Sequence, residues 1–466
     1  MLKLKIRKFV AIVICLLLIS CSNEKPDGKD YLFTVSVLSN PDTLDPQLAK
    51  NSSAFDVISN LFLGIMTYDE DGQLCTGVAE SYTISPNGLE YTFTLGENFW
   101  YGKNITEPIP LIADDFVFSA QRKRLDYVNS VTAVDEKTVK YILDTPNYDF
   151  LTMLTLPVAM PCSRQLFEDC KGRYGLDEDS IPSNGSFFVE KWQFDPYGKD
   201  NVIYTKRNKF NKNIAPSRLN YRILESYDDI KQRFLTDKEV SIVKLNSQPK
   251  EFIDYKYFSI LNKTIGLVVN DNKLGEILAN TTVRSEQSAY GIIPPAIQFK
   301  GKSYRELVNE KSVSKYDFQK AKQLKENYEV TNDIAILTCI DIIDTSLLYS
   351  FKAEYEKILE CQISFEIVDY DEYLKRVKNL DYTICIKTIS AEYNSPYAFL
   401  KQFGDFPISD DADKYAEKEA EIVASGLFIP LFYSTTYFYY KNNLDKFVFV
   451  PYNEQLLFRY ARNYSE

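Results

Sequence analysis

The side chains of this chain that could carry chemistry are carboxylates, tyrosines and amides, because its 466 residues include no histidine. Without imidazole, Ser-His-Asp and Cys-His catalysis, HExxH zinc sites, His-ligated haem and imidazole-ligated nickel are excluded. The 65 acidic residues leave a carboxylate-based glycosidase as an enzyme alternative, but no acid pair stands in a recognisable catalytic setting. Most familiar enzyme chemistry is therefore excluded, and we expect no cofactor and no metal.

Three tyrosines near the C-terminus share one side of a predicted strand. Tyr433, Tyr437 and Tyr439 recur at even spacing, which places their side chains on one face. They either face a binding cleft or pack within the sheet, and the sequence leaves both interpretations open. The adjacent acids Asp114 and Asp115 stand instead where a helix begins, so helix capping explains them.

The first 21 residues have the pattern of an export signal. Basic residues at positions 3, 5, 7 and 8 precede an apolar run over 9–20, which is too short to span a bilayer and fits a signal peptide. The run ends in Leu-Ile-Ser-Cys, which resembles the bacterial lipobox and implies cleavage before Cys21 and its lipidation. The alternative is an ordinary secretory signal in which Cys21 is accidental. Residues 22–30 are polar and form the predicted tether.

Composition limits the kinds of partner and the number of domains that the mature protein can have. Loss of residues 1–20 would remove four basic groups and change the net charge from −11 to −15, which argues against nucleic-acid binding. The length predicts two to four domains, and 45% hydrophobic residues suffice for sizeable cores. No CxxC motif is present, and although Cys162 and Cys170 are close enough for a disulfide in an oxidising compartment, we predict no specific bridge.

Hydrophobic periodicity predicts a mixed α/β chain. The N-terminal half is richer in strands, with helices expected over Asn51–Met66 and from Ala113 towards Arg124. The apolar run Ile265–Asn270 has the pattern of a buried central strand. Beyond it, helices and strands alternate as in a parallel sheet covered by helices. These predicted elements are helices over 317–329, 345–360 and 370–378 and strands over 333–340, 362–368, 381–387 and 427–440.

Several blocks, taken in order, resemble the extracytoplasmic solute-binding proteins of peptide-type ABC importers, the oligopeptide- and dipeptide-binding family. The strongest is ADDFVFSAQR at Ala113–Arg122. The others are Asp42–Gln47, Leu61–Tyr68, Ser85–Leu95, Ser183–Trp192 and Ile429–Phe432. The resemblance implies a periplasmic-binding-protein-like fold, with two α/β lobes joined by hinge strands and an extra N-terminal subdomain. It places lobe I at 31–49, 181–268 and 430–466, the extra subdomain at 50–180 and lobe II at 269–429.

The resemblance also assigns candidate ligand-binding residues. Ser390–Leu400 resembles the family segment whose aspartate pairs with the ligand's α-ammonium group, so that Glu392 would supply the carboxylate, unless it is a solvated loop acid. Tyr393 would line the pocket or pack beneath the loop. Asn270 would reach the ligand backbone or serve as a hinge. Tyr433 is the fourth candidate.

The function implied by the resemblance is capture of a peptide between two lobes and delivery to the permease of an ABC importer. The protein would be a monomer held at the cell membrane, outside the cytoplasm, by the lipid on Cys21. A divergent binding or signalling lipoprotein with a non-peptide ligand, such as an oligosaccharide, is the alternative. The region after Asn270 looks too short for the family's long helical segment, of which Val283-Arg284 is a remnant.

Overall fold

The computed structural model describes residues 32–195, 201–208, 216–224, 226–236, 240–282, 288–308, 317–330, 333–339, 345–441, 444–450 and 454–463. The predicted signal peptide, Cys21, the tether and Val283-Arg284 lie outside the described residues.

The strands are numbered in chain order. They are β1 (Leu32–Val37), β2 (Met66–Tyr68), β3 (Leu74–Thr76), β4 (Ala79–Ile84), β5 (Glu90–Leu95), β6 (Phe99–Gly102), β7 (Ile105–Pro110), β8 (Val128–Asp135), β9 (Thr138–Leu143), β10 (Phe187–Gln193), β11 (Val202–Arg207), β12 (Arg218–Ile223), β13 (Val240–Leu245), β14 (Lys256–Val269), β15 (Gln298–Phe299), β16 (Lys302–Ser303), β17 (Ile334–Cys339), β18 (Ile363–Val368), β19 (Ile384–Ile389), β20 (Phe428–Tyr440), β21 (Leu444–Asp445), β22 (Val448–Val450), β23 (Gln455–Leu457) and β24 (Arg462–Asn463).

The helices are α1 (Ser52–Leu61), α2 (Ala113–Arg122), α3 (Phe150–Met153), α4 (Arg164–Asp169), α5 (Tyr227–Thr236), α6 (Asn272–Thr281), α7 (Tyr304–Leu307), α8 (Phe318–Glu326), α9 (Thr345–Leu359), α10 (Tyr370–Lys378), α11 (Pro396–Leu400) and α12 (Ala412–Ala424). Short 3-10 turns occur at Pro157–Ala159, Lys250–Phe252 and Lys401–Phe403.

One ten-stranded sheet runs through both lobes, in the order β10-β11-β12-β1-β13-β20-β14-β19-β17-β18. In lobe I, β1 pairs in parallel with β12 and β13, and in lobe II, β17 pairs in parallel with β18 and β19. Apolar runs such as Ile384–Ile389 are typical of strands that are buried on both faces. The predicted α/β class with alternating helices and strands in the C-terminal half is confirmed.

Two long antiparallel strands join the lobes. β14 has 14 residues and β20 has 13, about twice the length of their neighbours, and they pair along most of that length. One end of β20 pairs with β13 of lobe I, and one end of β14 pairs with β19 of lobe II. The predicted strand at Ile265–Asn270 is therefore the second half of a longer crossover strand.

A separate four-stranded antiparallel sheet, in the order β4-β5-β9-β8, forms the extra subdomain together with α2. Asp115 in the first turn of α2 accepts hydrogen bonds from the Ile112 amide (3.1 Å) and from the buried Trp100 indole (2.8 Å). The predicted capping role of Asp115 is thus confirmed, and the same side chain also ties α2 to β6. Its position fixes the start of the subdomain helix.

One local expectation is corrected, and two others are made specific. Helix α1 ends at Leu61, not at Met66, because the Leu61 carbonyl accepts a hydrogen bond from the Gly185 amide (2.8 Å) and the backbone of Leu63 bonds to the Asn184 side chain. The region after Asn270 does hold a ten-residue helix, α6, which Asp271 caps through its side chain. Cys162 and Cys170 are both free thiols.

Candidate functional site

The pairing of the crossover strands locates the interlobe cleft. Leu245, the last residue of β13, lies opposite Tyr437 of β20, which lies opposite Ser259 of β14. Ile389, the last residue of β19, lies opposite Thr264 of β14. The carboxyl ends of strands from both lobes therefore converge on the four β14 residues between Ser259 and Thr264. Ligands of open α/β sheets bind in the crevice outside the carboxyl ends of the strands.

The middle of β14 is bent by a β-bulge. The register with β20 shifts between Leu261 and Lys263, so that Asn262 is an extra residue in the ladder. Bulges bend a strand and often occur beside functional sites. This bend lies where the strand ends of the two lobes face each other.

A buried cluster of charges sits at this point on the lobe I side. Glu454 accepts hydrogen bonds from Thr436 (2.7 Å) and Asn262 (3.2 Å). Its carboxylate oxygens also lie 2.8 Å from the Lys263 ammonium and 3.0 Å from the Lys244 ammonium. The cluster joins the C-terminal segment, the crossover strands and β13 at the centre of the molecule.

Electrostatics in the cluster follow from burial and from the pairing of opposite charges. Burial raises the pKa of Glu454, but the charges of Lys244 and Lys263 outweigh it and hold the pKa far below its usual range. Burial likewise lowers the pKa of Lys244, and the charges of Glu454 and Asp56 overcome it and raise the pKa. Asp56 on α1 differs, because burial dominates over the attraction of Lys244 and raises its pKa to about 6.

The lobe II side of the cleft is formed by the loop that follows β19. Glu392 in this loop is 68% exposed, and its carboxylate lies 3.4 Å from the Lys401 ammonium. Tyr393 beside it is only 2% exposed, and the Lys401 ammonium lies 5.5 Å from the centre of its ring. The loop therefore presents a paired, solvated carboxylate above a buried tyrosine.

A second carboxylate, Asp149 of the extra subdomain, meets the same loop. The Ser395 hydroxyl donates a hydrogen bond to Asp149. Burial raises the pKa of Asp149 to about 6, and the bond from Ser395 opposes this only in part. The buried Tyr393 hydroxyl has no hydrogen-bond partner among the described residues. Its burial, followed by the charge of Asp149, raises its pKa.

Further contacts hold the extra subdomain against lobe II. The Tyr127 and Tyr397 hydroxyls are in contact, and the Tyr148 hydroxyl lies 3.4 Å from the carboxylate of Asp410. Beside this contact is a groove of about 710 Å³. Its lining comes from both bodies and consists of Asp126, Tyr127, Tyr397, Lys401, Gln402, Asp405, Phe406 and Pro407.

The other predicted site residues lie elsewhere. The Tyr433 hydroxyl accepts a hydrogen bond from the Gly291 amide (3.2 Å), so its side chain packs against the segment that covers β20. The Asn270 amide donates to the carbonyls of Leu380 (3.2 Å) and Tyr382 (2.7 Å). Asn270 follows the last residue of β14 and lies at the end of the lobe II strands remote from the cleft, which favours its hinge or structural alternative over ligand contact.

Sequence reasoning missed the residues that the tertiary structure gathers at the cleft. Asp56, Asp149 and Glu454 had no distinguishing motif. A signal was present for Lys244 and Lys263, since each interrupts an otherwise apolar or neutral strand pattern, VSIVKL and ILNKT. A lysine inside a buried strand requires a carboxylate partner, although the sequence does not say which.

Two negative findings concern only the part of the chain that the structure describes. No group of three or more Cys, Asp or Glu side chains there is arranged to hold a metal ion. No helix within those residues has the length and apolar character that crossing a bilayer requires.

The fold belongs to the two-lobed, periplasmic-binding-protein-like class. The structure aligns with that of the pheromone receptor PrgZ with a TM-score of 0.77 at 16% identity, covering 94% of this chain and all of that one. The predicted fold class, with two lobes, hinge strands and an extra subdomain, is confirmed.

Sequence comparison finds similarity to one family of proteins. Residues 73–285 match the model of the bacterial extracellular solute-binding proteins, family 5 (middle region). The dipeptide-binding protein DppE of Bacillus subtilis is 22% identical over 82% of this chain and 78% of that protein. The probable deoxycholate-binding periplasmic protein YgiS of Escherichia coli is 20% identical over 80% of this chain and 78% of that protein. Matches to several streptococcal oligopeptide-binding proteins cover less than half of those proteins. The resemblance to the solute-binding proteins of peptide-type ABC importers is thereby confirmed.

Proposed function

We propose that this protein is an extracytoplasmic, lipid-anchored receptor that captures peptides between its lobes and delivers them to the permease of an ABC importer. The observation that carries the proposal is the convergence of strand carboxyl ends from both lobes on the bent middle of the crossover strands. The names of relatives such as the dipeptide-binding protein DppE support a peptide as the guest. Catalysis is not part of the proposal.

Capture works by closure. Bending at the crossover brings the loop after β19 towards lobe I and the extra subdomain, and a guest that contacts both sides stabilises the closed form. Hydrogen bonds to the main chain of an extended peptide would give affinity without regard to sequence. The groove of about 710 Å³ beside Tyr127 and Tyr397 has room for variable side chains.

Glu392 is our candidate for the ligand's ammonium group. Its exposed carboxylate stands in the loop after β19, where an ammonium group would compete with Lys401 for it. Tyr393 supports this loop from below, and Tyr433 supports the segment around Gly291. For Asn270 we retain only a structural role, because both its side-chain bonds hold backbone carbonyls of lobe II.

Anchoring through a lipid on Cys21 would keep the receptor near its permease. The charge of the mature protein and its polar tether suit a monomeric body that moves freely at the membrane surface. Metabolic labelling with a fatty-acid analogue should mark the wild type and not Cys21→Ser. A labelled Cys21→Ser protein would remove the anchor from the proposal. The domain boundaries predicted from the sequence remain part of this proposal.

The guest is identified by native mass spectrometry of residues 22–466, followed by thermal denaturation with pools of ligands. We expect a co-purified peptide, or stabilisation by peptide pools and not by oligosaccharides. Deoxycholate is tested as a second kind of ligand in the same denaturation experiment, since the relative YgiS is named for it. Stabilisation by deoxycholate or oligosaccharides alone would replace the peptide proposal with a non-peptide one.

A further inference from the structure

A small cavity lies inside lobe I on the side of the cleft. It is bounded by the ends of β1 and β13, by α1 and by the segment around Glu454. Its volume is about 30 Å³, which is room for about two groups the size of a water molecule. Ser52 is the exposed member of its lining and marks the side on which the cavity meets solvent.

Two polar groups of the lining have no hydrogen-bond partner among the described residues, although the charge of Lys244 acts on one of them, the Asp56 carboxylate. The carboxylate of Asp56 receives no hydrogen bond from any described residue, although its backbone carbonyl accepts one from Tyr221. The Ser36 hydroxyl, on a residue 8% exposed, also has no hydrogen-bond partner in the described part of the chain. The Ser36 hydroxyl is buried and the Asp56 side chain is half-buried. A polar group that is shielded from water without a hydrogen-bond partner is costly and calls for an occupant that satisfies it.

The charges around the cavity are balanced. Glu454 is paired with both Lys244 and Lys263, which leaves one positive charge, and Asp56 offsets it. An occupant with a charge of its own would break this balance in a poorly solvated place. An ammonium group carries three donors, and the ion pair of Lys244 with Glu454 uses one, so hydrogens remain for a further acceptor.

We propose that this cavity is a subsite for the carboxamide of an asparagine or glutamine side chain of the bound peptide. The carboxamide is neutral and combines two donors with an acceptor. Its NH₂ group donates to Asp56, and its oxygen accepts from Lys244 or Ser36. The inference deepens the proposed function and rests on it, because it assumes a peptide in the cleft.

Matched side chains separate this subsite from its alternatives. Methionine has the length of glutamine but lacks the hydrogen-bonding groups of the carboxamide. Glutamate has the shape of glutamine and a negative charge, and lysine carries a positive charge. The experiment uses alanine pentapeptides in which each of these four residues is placed in turn at each position. Affinities for the mature chain, residues 22–466, are measured by calorimetry at pH 7.5.

At one position of the pentapeptide, we expect the peptide with glutamine to bind at least tenfold tighter than the peptides with methionine, glutamate or lysine there. Hydrogen bonds to charged groups are strong enough for a difference of this size. Asp56→Asn gives the surroundings of the cavity a net positive charge. In that variant the ratio of glutamine to glutamate affinity should fall at least tenfold at the same position and stay unchanged at the others. Ser36→Ala is the second variant and should reduce the preference for glutamine over methionine several-fold.

Glu417→Gln, a change of the same chemistry on the exposed face of α12, is the control and should leave every ratio unchanged. Peptides that bind with equal affinity whichever residue they carry would overturn the subsite and leave the proposed function intact. If Asp56→Asn lowers the affinity for all peptides by one common factor, the subsite is likewise overturned and the proposed function stays intact. Absence of any peptide binding would overturn the proposed function and the subsite together. Melting temperatures of all variants establish that each one is folded.

Discussion

Protonation of Asp149 should favour closure of the lobes. Asp149 belongs to the extra subdomain, and its carboxylate is buried against Ser395 of lobe II. Opening the cleft would return this carboxylate to water, where its pKa falls back towards 3.8, whereas in the structure the pKa is about 6. The closed form therefore binds the proton more tightly than the open form, and the two equilibria are linked.

The magnitude follows from the two pKa values. A tenfold difference in proton affinity is worth 1.36 kcal/mol, so closing over an ionised Asp149 costs at most about 3 kcal/mol above pH 6. Well below pH 3.8 the carboxyl group is protonated in both forms and this cost is absent. As the pH rises from 4 to 6, closure and ligand affinity should weaken, by up to about a hundredfold.

The assay is calorimetric titration of one peptide at intervals from pH 4.5 to pH 8, with the wild type and Asp149→Asn. Asparagine retains an acceptor for Ser395 and does not ionise. The variant should bind at least tenfold tighter than the wild type at pH 7.5, and the difference should narrow to about sixfold at pH 4.5. Glu417→Gln, whose side chain is 70% exposed, is the matched control and should follow the wild type. Parallel affinity curves for the wild type and Asp149→Asn across the whole range would refute the reasoning.

Three further predictions concern single side chains. Glu392→Ala should weaken the binding of peptides with a free amino terminus at least tenfold more than that of their N-acetylated forms. Lys401→Met should strengthen the binding of peptides with a free amino terminus, since it removes a competing cation. Equal effects on both peptide forms in calorimetry would contradict an ammonium role. Asp115→Ala should lower the free energy of unfolding by about 2–4 kcal/mol in urea titration, because it leaves the buried Trp100 indole without an acceptor, and a loss below 0.5 kcal/mol would contradict this. Glu454→Ala should cost about 3–5 kcal/mol, because two lysines lose their partner, and a stability close to that of the wild type would show that they re-solvate freely.

The secondary structure was largely predictable because its signals are local. The alternation of helices and strands after residue 317 appears in the structure within a few residues of the expected bounds. The early end of α1 was missed, because it depends on hydrogen bonds from Leu61 and Leu63 to the distant residues Asn184 and Gly185. The full length of β14 was missed because its first half carries polar residues whose partners lie on β20 and in the C-terminal segment.

The candidate site was predictable only where a motif carried it. The loop with Glu392 and Tyr393 was found through its resemblance to a family segment, and the structure places it after β19 at the cleft. Asn270 had a comparable resemblance, but only the pairing of β14 with β19 puts it at the remote end of the lobe II strands. A position within a strand does not reveal which end of that strand faces a ligand.

By itself the sequence determined the class of the molecule: an α/β binding protein without imidazole chemistry, with blocks in the order typical of its family. Only the tertiary structure decided which charges meet. Asn262 and Glu454 are 192 residues apart and Asp149 and Ser395 are 246 apart, yet each pair is in hydrogen-bonding contact. The reason is physical: composition and periodicity act over a few residues, whereas the burial of a carboxylate, its partners and its pKa depend on how distant segments pack together.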